Sequence, residues 1–216
     1  MDETNFFVNE YALLLDAISS EGLDANISVK PTAFGLSIDR KKALDRIESL
    51  VRNAQGLGIF VCLDMEDSRI TDATLEVLFT MHDRGLSNVG VAIQGRLHRT
   101  IADIGEITSR LGSNSDIRVC KGIYLEPDSI AYTSYSEIVE ATSEAVNEAI
   151  SKGAYVAIAS HDGPVIDNAL RTLDKFGMGP DKGDSRPLKP QKRKSKGEGY
   201  EFQFLLGVKG DIRRRL

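Results

Sequence analysis

Short apolar runs alternate along the chain with longer stretches in which apolar residues recur every three or four positions. The short runs are rich in β-branched residues and nearly continuous in apolar character. That pattern is typical of strands covered on both faces in a parallel sheet. They predict strands at 26–30, 58–64, 88–94, 116–121, 154–160 and 201–206.

The longer stretches predict amphipathic helices, because their apolar residues fall on one helical face. The helices cover 7–20, 40–55, 71–84, 99–111, 130–152 and 165–176. Glycines that follow them are expected to end the helices in the left-handed conformation, at Gly22, Gly56, Gly85, Gly112 and Gly153. The order along the chain is one helix, then strand–helix repeats, then a last strand. This order predicts parallel strands with right-handed crossovers.

Polar side chains end most of the predicted strands, at Lys30, Asp64, Gln94, Lys121, and Ser160 with His161. In a (β/α) barrel such ends converge on one rim, which is where active sites lie. No Gly-x-Gly-x-x-Gly follows the first strand, which disfavours a dinucleotide-binding sheet. The sequence therefore predicts an α/β fold, a parallel (β/α)8 TIM-type barrel. About six of its eight strands are present, in a single domain over residues 1–216.

One segment, 178–199, breaks the alternation of strands and helices. Residues 181–199 contain seven basic and three acidic residues, a charge of +4, which leaves −9 for the rest of a chain of net charge −5. The segment is rich in glycine and proline and stands where a short helix–strand loop is usual. We interpret it as a disordered, basic surface insertion. A nuclear-localisation or nucleic-acid tail is the alternative, but the acidic remainder disfavours it.

Composition narrows the class of protein. The chain has 41% hydrophobic and 27% charged residues, and its net negative charge gives no support to nucleic-acid binding. No apolar run approaches the ~18 residues of a membrane span, and the acidic N-terminus lacks the basic start of a signal peptide. Cys62 and Cys120 lie in apolar runs, so two buried, reduced thiols are expected.

The strand ends allow several chemistries when they are considered alone. Lys30 and Lys121 could bind an anion, or form a Schiff base if their pKa is depressed. Asp64, with Glu66 and Asp67 close by, could hold a metal, act as an acid or base, or pair with the lysines. A single strand-end lysine is more often solvated, and a single aspartate more often caps a turn. The shared rim nevertheless favours a functional site.

Arg118 is the most unusual residue of the predicted strands. Alternation puts it on the same face as Cys120, and Val119 with Lys121 on the other face. An arginine in an apolar strand is costly to bury unless it meets an anion or a dipole. Arg118 is therefore a candidate for contact with a charged or polar ligand.

Six motifs in this order resemble the proline dehydrogenase family: ISVKPTAFGL, CLDMED, VGVAIQGRLHRT, IRVCKGIYLEP, AIASHD and YEFQFLLGV. They extend from about residue 26 to residue 208, and CLDMED and RVCKGIY are the most specific. The resemblance implies a flavin-containing (β/α) barrel, with FAD as the expected cofactor. It implies oxidation of L-proline to 1-pyrroline-5-carboxylate, with hydride transfer from proline C5 to flavin N5. A membrane quinone is the implied electron acceptor, so the expected location is cytoplasmic with peripheral contact at the inner face of the membrane.

The resemblance also implies roles for individual residues. On the substrate side, Lys30 pairs with the proline carboxylate, Asp64 supports that lysine, and Tyr124 lies over the substrate. Arg118 donates toward flavin N5, and Asp64 and Arg118 are the implied catalytic pair. The implied flavin contacts are Met65, Gln94, Lys121, Gly122, Ile123, Ser160 and His161. Ser160 replaces the threonine of the family and keeps its hydroxyl, while Glu201 and Leu205 or Leu206 would line the site.

The family pattern continues with an eighth strand and a helix carrying Tyr-x-x-Arg-Arg-x-x-Glu. Arg213, Arg214 and Arg215 follow the last strand too soon to be that pair. We therefore expect a barrel incomplete at both ends, and hypothesise that full activity needs residues beyond these.

Three alternatives stay open at this point. One is a Schiff-base aldolase on Lys30 or Lys121, and another is a degenerate barrel fragment without catalysis. The third, a metal-dependent hydrolase on Asp64, Glu66, His161 and Asp162, lacks a second strand-end histidine.

Overall fold

The computed structural model describes residues 3–193 and 196–214. The chain divides into two compact units, Met1–Ala92 with Arg193–Ser195, and Ile93–Lys192 with Lys196–Leu216. A single domain over 1–216 stays a prediction. Within the described residues, no helix has both the length and the apolar character needed to cross a membrane.

The first unit is a short parallel ladder flanked by helices. Its elements are helix α1 (Glu3–Ser20), strand β1 (Ile27–Val29), helix α2 (Arg40–Gly56), strand β2 (Val61–Leu63), helix α3 (Thr71–Asp83) and most of strand β3 (Val89–Gln94). Ile27 of β1 lies opposite Val61 of β2, and Val61 lies opposite Val89 of β3. Short 3-10 turns, Pro31–Phe34 and Ser68–Ile70, follow β1 and β2.

The second unit begins inside β3, at Ile93. It continues with helix α4 (Thr100–Leu111), strand β4 (Asp116–Cys120), helix α5 (Tyr135–Ser151), strand β5 (Tyr155–Ala159), helix α6 (Gly163–Lys175), strand β6 (Tyr200–Gln203) and helix α7 (Gly210–Arg213). β4 pairs in parallel with β5, and β5 with β6. Helix α5 contacts β4, β5, α4 and α6, so both the ladder and the helix bury apolar faces.

Each of the six predicted strands is present, and within each unit the strand order follows the chain order. The α/β fold with parallel strands is therefore confirmed. The strands are shorter than predicted in most cases. Residues 58–60 are apolar or glycine but precede β2, and residues 204–206 follow β6. Apolar content alone does not show where ladder hydrogen bonds stop.

The six predicted helices are present, but three starts differ by two residues or more: α1 begins at Glu3 and not at 7, α6 at Gly163 and not at 165, and α5 differs most. α5 begins at Tyr135 and not at residue 130, because Ser134 and Glu137 form a reciprocal capping box there. The prediction that Gly56 ends a helix in the left-handed conformation was wrong. Gly56 lies within α2, and Gly58 has the positive φ, +71°. Gly112 has a positive φ of 53°, but its ψ of −125° lies outside the left-handed helical region.

The segment 178–199 forms a loop without helix or strand in its described residues, 178–193 and 196–199. The prediction that it lies on the surface was wrong for two of its basic residues. The Arg186 side chain is 3% exposed and pairs with Asp184, and the Lys196 side chain is 4% exposed and pairs with Asp116. Both cations are buried because each meets a carboxylate at hydrogen-bond distance. Disorder of the segment as a whole stays a prediction.

Candidate active site

The first unit places Lys30, Asp64 and Met65 directly after β1 and β2. The Lys30 side chain is exposed, Asp64 is half-buried and Met65 is 9% exposed. The Asp64 N–H donates to the Val29 carbonyl at 2.8 Å, which continues the parallel pairing past the end of β2. The strand pairing therefore sets the backbone position of Asp64 beside the end of β1, the strand that Lys30 follows.

A second carboxylate, Glu66, organises the same end of the first unit. It accepts from the Thr32 hydroxyl at 2.6 Å and from the Thr32 N–H at 3.2 Å. These bonds tie the turn after β1 to the turn after β2. Glu66 thus has a structural partner in the turn that follows Lys30.

Tyr11 of α1 is a residue that sequence reasoning missed here. Its hydroxyl donates to the Ser28 carbonyl at 3.1 Å, and its ring stacks on Phe34 at 5.5 Å. Burial, and after it the negative charge of Asp64, raises the pKa of the Tyr11 hydroxyl. The proximity of this phenol to Asp64 gave no signal in the sequence, since Tyr11 fits the apolar stripe of α1.

In the second unit, the ends of β3 and β4 lie side by side. The Gly95 N–H donates to the Cys120 carbonyl at 2.7 Å, and the Arg96 N–H donates to the Lys121 carbonyl at 3.1 Å. Gln94, the last residue of β3, is 2% exposed. These contacts bring Gln94 and the Lys121–Gly122 pair together as predicted from the strand ends.

Gly122 combines a positive φ with close packing, so a side chain at its position would be strained and would push Gln94 aside. Its φ is +97°, and a Cβ there would lie 2.7 Å from Gln94 Oε1 and 3.0 Å from Arg96 Cδ. A side chain would therefore be strained by the backbone and would also collide with its neighbours. Gly122 lets the backbone lie directly against the Gln94 amide.

Lys121, Asp162 and Tyr135 form a hydrogen-bonded cluster at the ends of β4 and β5. The Lys121 ammonium donates to Asp162 Oδ2 at 2.6 Å, and the Tyr135 hydroxyl donates to Asp162 Oδ1 at 3.0 Å. Lys121 Nζ also lies 5.4 Å from the centre of the Tyr135 ring. The Asp162 N–H donates to the Ser160 hydroxyl oxygen at 3.1 Å, so Ser160 is bound to the same cluster.

His161 is oriented by the chain that follows β6. Its Nε2 accepts from the Leu205 N–H at 2.9 Å, and its ring meets Phe204 edge-on at 5.6 Å. Accepting a hydrogen bond at Nε2 requires a lone pair on that nitrogen, which puts the ring proton of the neutral form on Nδ1.

The remaining predicted residues of the second unit differ in exposure. Arg118 is half-buried in β4, between buried Ile117 and Val119, as strand alternation predicted. Tyr124 is half-buried, whereas Ile123 is 87% exposed. Ile123 therefore reaches solvent from the loop that joins β4 to α5.

The donors of the second unit suit a flavin ring. Gln94 supplies an amide, Lys121 an ammonium and Ser160 a hydroxyl, and these are groups that can bond the carbonyl oxygens and ring nitrogens of an isoalloxazine. Gly122, which has no Cβ, lets the Gln94 amide and the Arg96 stem pack directly against its backbone. The residues present thus fit the group that the sequence motifs imply.

The described residues give no support to the hypothesis of a metal-dependent hydrolase. Among residues 3–193 and 196–214, no group of three or more histidine, cysteine, aspartate or glutamate side chains could hold an ion. Asp162, one of the proposed ligands, is bonded to Lys121 and Tyr135 instead.

Comparison with known families gives a match over nearly the whole chain. A family model described as proline dehydrogenase matches residues 2–216. A proline dehydrogenase of Deinococcus radiodurans is 28% identical over 214 residues, which are 97% of this chain and 63% of the relative. Proline dehydrogenase 2 of Bacillus subtilis strain 168 is 27% identical over 199 residues, 92% of this chain and 59% of the relative. The chain thus spans less than two thirds of the length of these relatives.

Solved structures with the same fold are much longer proteins. Proline utilization A (PutA) of Bdellovibrio bacteriovorus, inactivated by N-propargylglycine, superposes with a TM-score of 0.80 at 20% identity, over 98% of this chain and 25% of that one. A PutA mutant of Bradyrhizobium japonicum gives 0.79 at 17% identity, over 99% of this chain and 23% of the other. At these identities the likeness shows the fold, and it confirms the predicted barrel-type class.

Proposed function

Since the chain belongs to the proline dehydrogenase family, we propose that it serves the oxidation of L-proline to 1-pyrroline-5-carboxylate with FAD as cofactor. The flavin, when bound, supplies the acceptor for the hydride that leaves proline C5. The protein supplies binding, orientation and electrostatics. The observation that most supports the proposal is the close fit of Gly122 against the buried Gln94 amide, two residues that the family resemblance assigns to the flavin.

The flavin-binding roles belong to the second unit. Gln94 and Lys121 donate to the ring, and Ser160 with His161 lies at the end of the neighbouring strand pair. Arg118 directs positive charge toward the ring position that becomes electron-rich on reduction. Ile123, whose side chain is 87% exposed, is the third cofactor contact in this loop.

The substrate-binding and remaining roles follow the family resemblance. Lys30 is exposed and free to reach a carboxylate, and Asp64 acts at the neighbouring strand end. Met65 takes the position beside the flavin ring, and Tyr124 the position over the substrate. A quinone as electron acceptor, and a cytoplasmic location with peripheral contact to the membrane, are further predictions.

A cofactor titration tests the proposal most directly. The purified 216-residue chain is mixed with FAD, and the absorbance near 450 nm (roughly, as flavins show) and the quenching of flavin fluorescence are followed. We expect saturable binding by the native chain. We expect at least about tenfold weaker binding by Gly122→Ala, because its Cβ would displace the Gln94 amide that is proposed to bond the ring, and a buried polar group that loses its partner costs about 1–3 kcal/mol.

Gly105→Ala is the matched control. Gly105 lies within α4 and has open space around its missing Cβ, so alanine there should leave FAD affinity unchanged and raise stability slightly. Equal affinities for Gly122→Ala and the native chain would overturn the assignment of the flavin site. A native chain that binds no FAD would favour the non-catalytic fragment. Trapping of a carbonyl substrate by borohydride would favour the aldolase. Proline-dependent dye reduction then measures turnover.

A further inference from the structure

Arg96 is a buried arginine that none of the assigned roles uses. It lies two residues after Gln94 and is 8% exposed, and it contacts the loop 121–132, which is most of the connection from β4 to α5. Three of its contacts go to main-chain oxygens of that loop. Nη1 donates to the Tyr124 carbonyl at 2.9 Å, while Nε and Nη2 donate to the Tyr132 carbonyl at 3.3 and 3.1 Å.

Backbone hydrogen bonds already hold both ends of this loop. At its start, the Lys121 carbonyl accepts from the Arg96 N–H at 3.1 Å. At its end, the Tyr132 N–H donates to the Arg96 carbonyl at 2.8 Å, and the His98 N–H donates to the Ile130 carbonyl at 3.0 Å. The middle of the loop lies between these points. The Arg96 guanidinium contacts this middle at Tyr124 and joins it to Tyr132.

The geometry suits a guanidinium better than other cations. Two carbonyl oxygens, eight residues apart in sequence, are reached at once by a planar fork of donors. The stem of Arg96 also forms part of the wall against Gly122, since a Cβ on Gly122 would come within 3.0 Å of Arg96 Cδ. Arg96 thus contacts the loop at Gly122, at Tyr124 and at Tyr132.

We propose that Arg96 is a positioning residue, which fixes the 121–132 loop so that Lys121 and Gly122 face the flavin and Tyr124 faces the substrate. The inference rests on the proposed function for its flavin part. Arg96 itself needs no contact with flavin or proline, because its fork is occupied by the two carbonyl oxygens. Without the fork, the middle of the loop would lose its charged hydrogen bonds and open more often.

The test uses three variants of the full chain: Arg96→Met, Arg96→Lys and Arg171→Met. Arg171 is the matched control, since it donates to Asn168 on its own helix and is exposed. Chymotrypsin cleavage after Tyr124, Leu125 and Tyr132 under native conditions reports opening of the loop, because cleavage follows the population of the open state. FAD affinity, from fluorescence quenching, reports the flavin part.

We expect Arg96→Met to be cleaved in the loop at least about tenfold faster and to bind FAD at least about tenfold more weakly, as lost charged hydrogen bonds imply. Arg96→Lys keeps the charge but cannot bond both carbonyls, so it should resemble Arg96→Met more than the native chain. Arg171→Met should behave as the native chain. Should Arg96→Met fail to fold, Arg96→Lys carries the comparison.

Faster cleavage with unchanged FAD affinity would overturn the positioning role, because the loop would then be fixed for stability alone. Native-like behaviour of Arg96→Lys in both assays would overturn the fork argument in favour of charge. A native chain without FAD affinity would refute the proposed function instead, and the cleavage rates would still decide whether Arg96 holds the loop.

Discussion

Asp162 lies between two donors at the end of β5, the Lys121 ammonium and the Tyr135 hydroxyl. Burial by itself raises the pKa of the Asp162 carboxyl, but the hydrogen bonds from Lys121 and Tyr135 outweigh it, and the pKa falls below its ordinary value. The hydrogen bond to the same carboxylate raises the pKa of the Tyr135 hydroxyl. The cluster therefore keeps its charged, bonded form through neutral pH.

Replacement of Asp162 should have an effect that depends on pH. Because its folded-state pKa is lowered, the carboxylate stabilises the protein above the ordinary aspartate value of about 4, and that contribution disappears as pH falls through the lowered value. We expect Asp162→Asn to lower the free energy of unfolding by about 1 kcal/mol at neutral pH, since Lys121 is partly exposed. Urea unfolding of the variant and the native chain, at several pH values from neutrality down to the lowest pH at which both are folded, measures the difference in the free energy of unfolding.

The control for that measurement is Asp167→Asn, an exposed aspartate on α6. Asp162 stands at the N-cap of α6 without a side-chain cap hydrogen bond, and asparagine is as favourable there as aspartate, so Asp162→Asn should leave the start of α6 unchanged. A difference that grows as pH falls below about 4 would contradict the linkage.

The sequence revealed strand-end residues better than it revealed their partners. Gln94, Lys121 and Ser160 could be predicted as neighbours because parallel strands end at one edge. Arg96 and Tyr135 could not, because each is a polar or aromatic residue in a loop or at a helix start. Their roles depend on contacts with residues about 28 to 36 and 27 positions away in sequence.

At the scale of elements, helix α5 shows how local chemistry corrects an apolar pattern. The pattern alone extended the helix back to residue 130, since Ile130 and Ala131 fit the stripe. The Ser134 hydroxyl accepts from the Glu137 N–H at 3.4 Å, and Glu137 in turn accepts from the Ser134 N–H at 3.3 Å. This box ends the preceding loop at Ser134, and residues 130–132 pair with 96–98 instead. Capping residues thus decide the boundary where hydrophobicity is ambiguous.

Loss of the capping box should weaken α5 measurably. We expect Ser134→Ala to lower the free energy of unfolding by about 1 kcal/mol, the usual cost of removing a helix cap. Thr133→Ala, one residue earlier and exposed in the loop, should change it by less than about 0.5 kcal/mol. Thermal and urea unfolding followed by circular dichroism compares the two variants, and equal effects would show that the box adds nothing.

At the scale of the whole molecule, the order of strands and helices was predictable and the packing of segment 178–199 was not. Periodicity reports which residues are apolar, so it revealed the parallel strands. It cannot report that a lysine in a basic, glycine-rich stretch reaches a buried aspartate. Lys196 bonds both oxygens of Asp116, at 2.9 and 2.8 Å, and its ammonium lies 4.3 Å from the centre of the Tyr155 ring. Burial, and after it the Glu201 carboxylate, raises the pKa of that tyrosine.

Breaking this buried pair should destabilise the protein strongly. Lys196→Met removes two charge-assisted hydrogen bonds from a buried carboxylate, so we expect it to cost about 3–5 kcal/mol. Lys192→Met, whose side chain is 83% exposed, should cost less than about 0.5 kcal/mol. Addition of Asp116→Asn to Lys196→Met should recover part of the loss. Urea unfolding of these three variants and the native chain measures the differences in the free energy of unfolding. A Lys196→Met variant as stable as the native chain would contradict a stabilising role of the buried pair.

The Asp116–Lys196 pair also has a consequence for folding during translation, because its two residues are synthesised at different times. The two residues are 80 positions apart. At ribosomal rates of about 5–20 residues per second, Lys196 is added about 4–16 s after Asp116. During that interval the nascent chain already contains β4, α5, β5 and α6. Helices α5 and α6 of the second unit can therefore form during translation before this buried ion pair does.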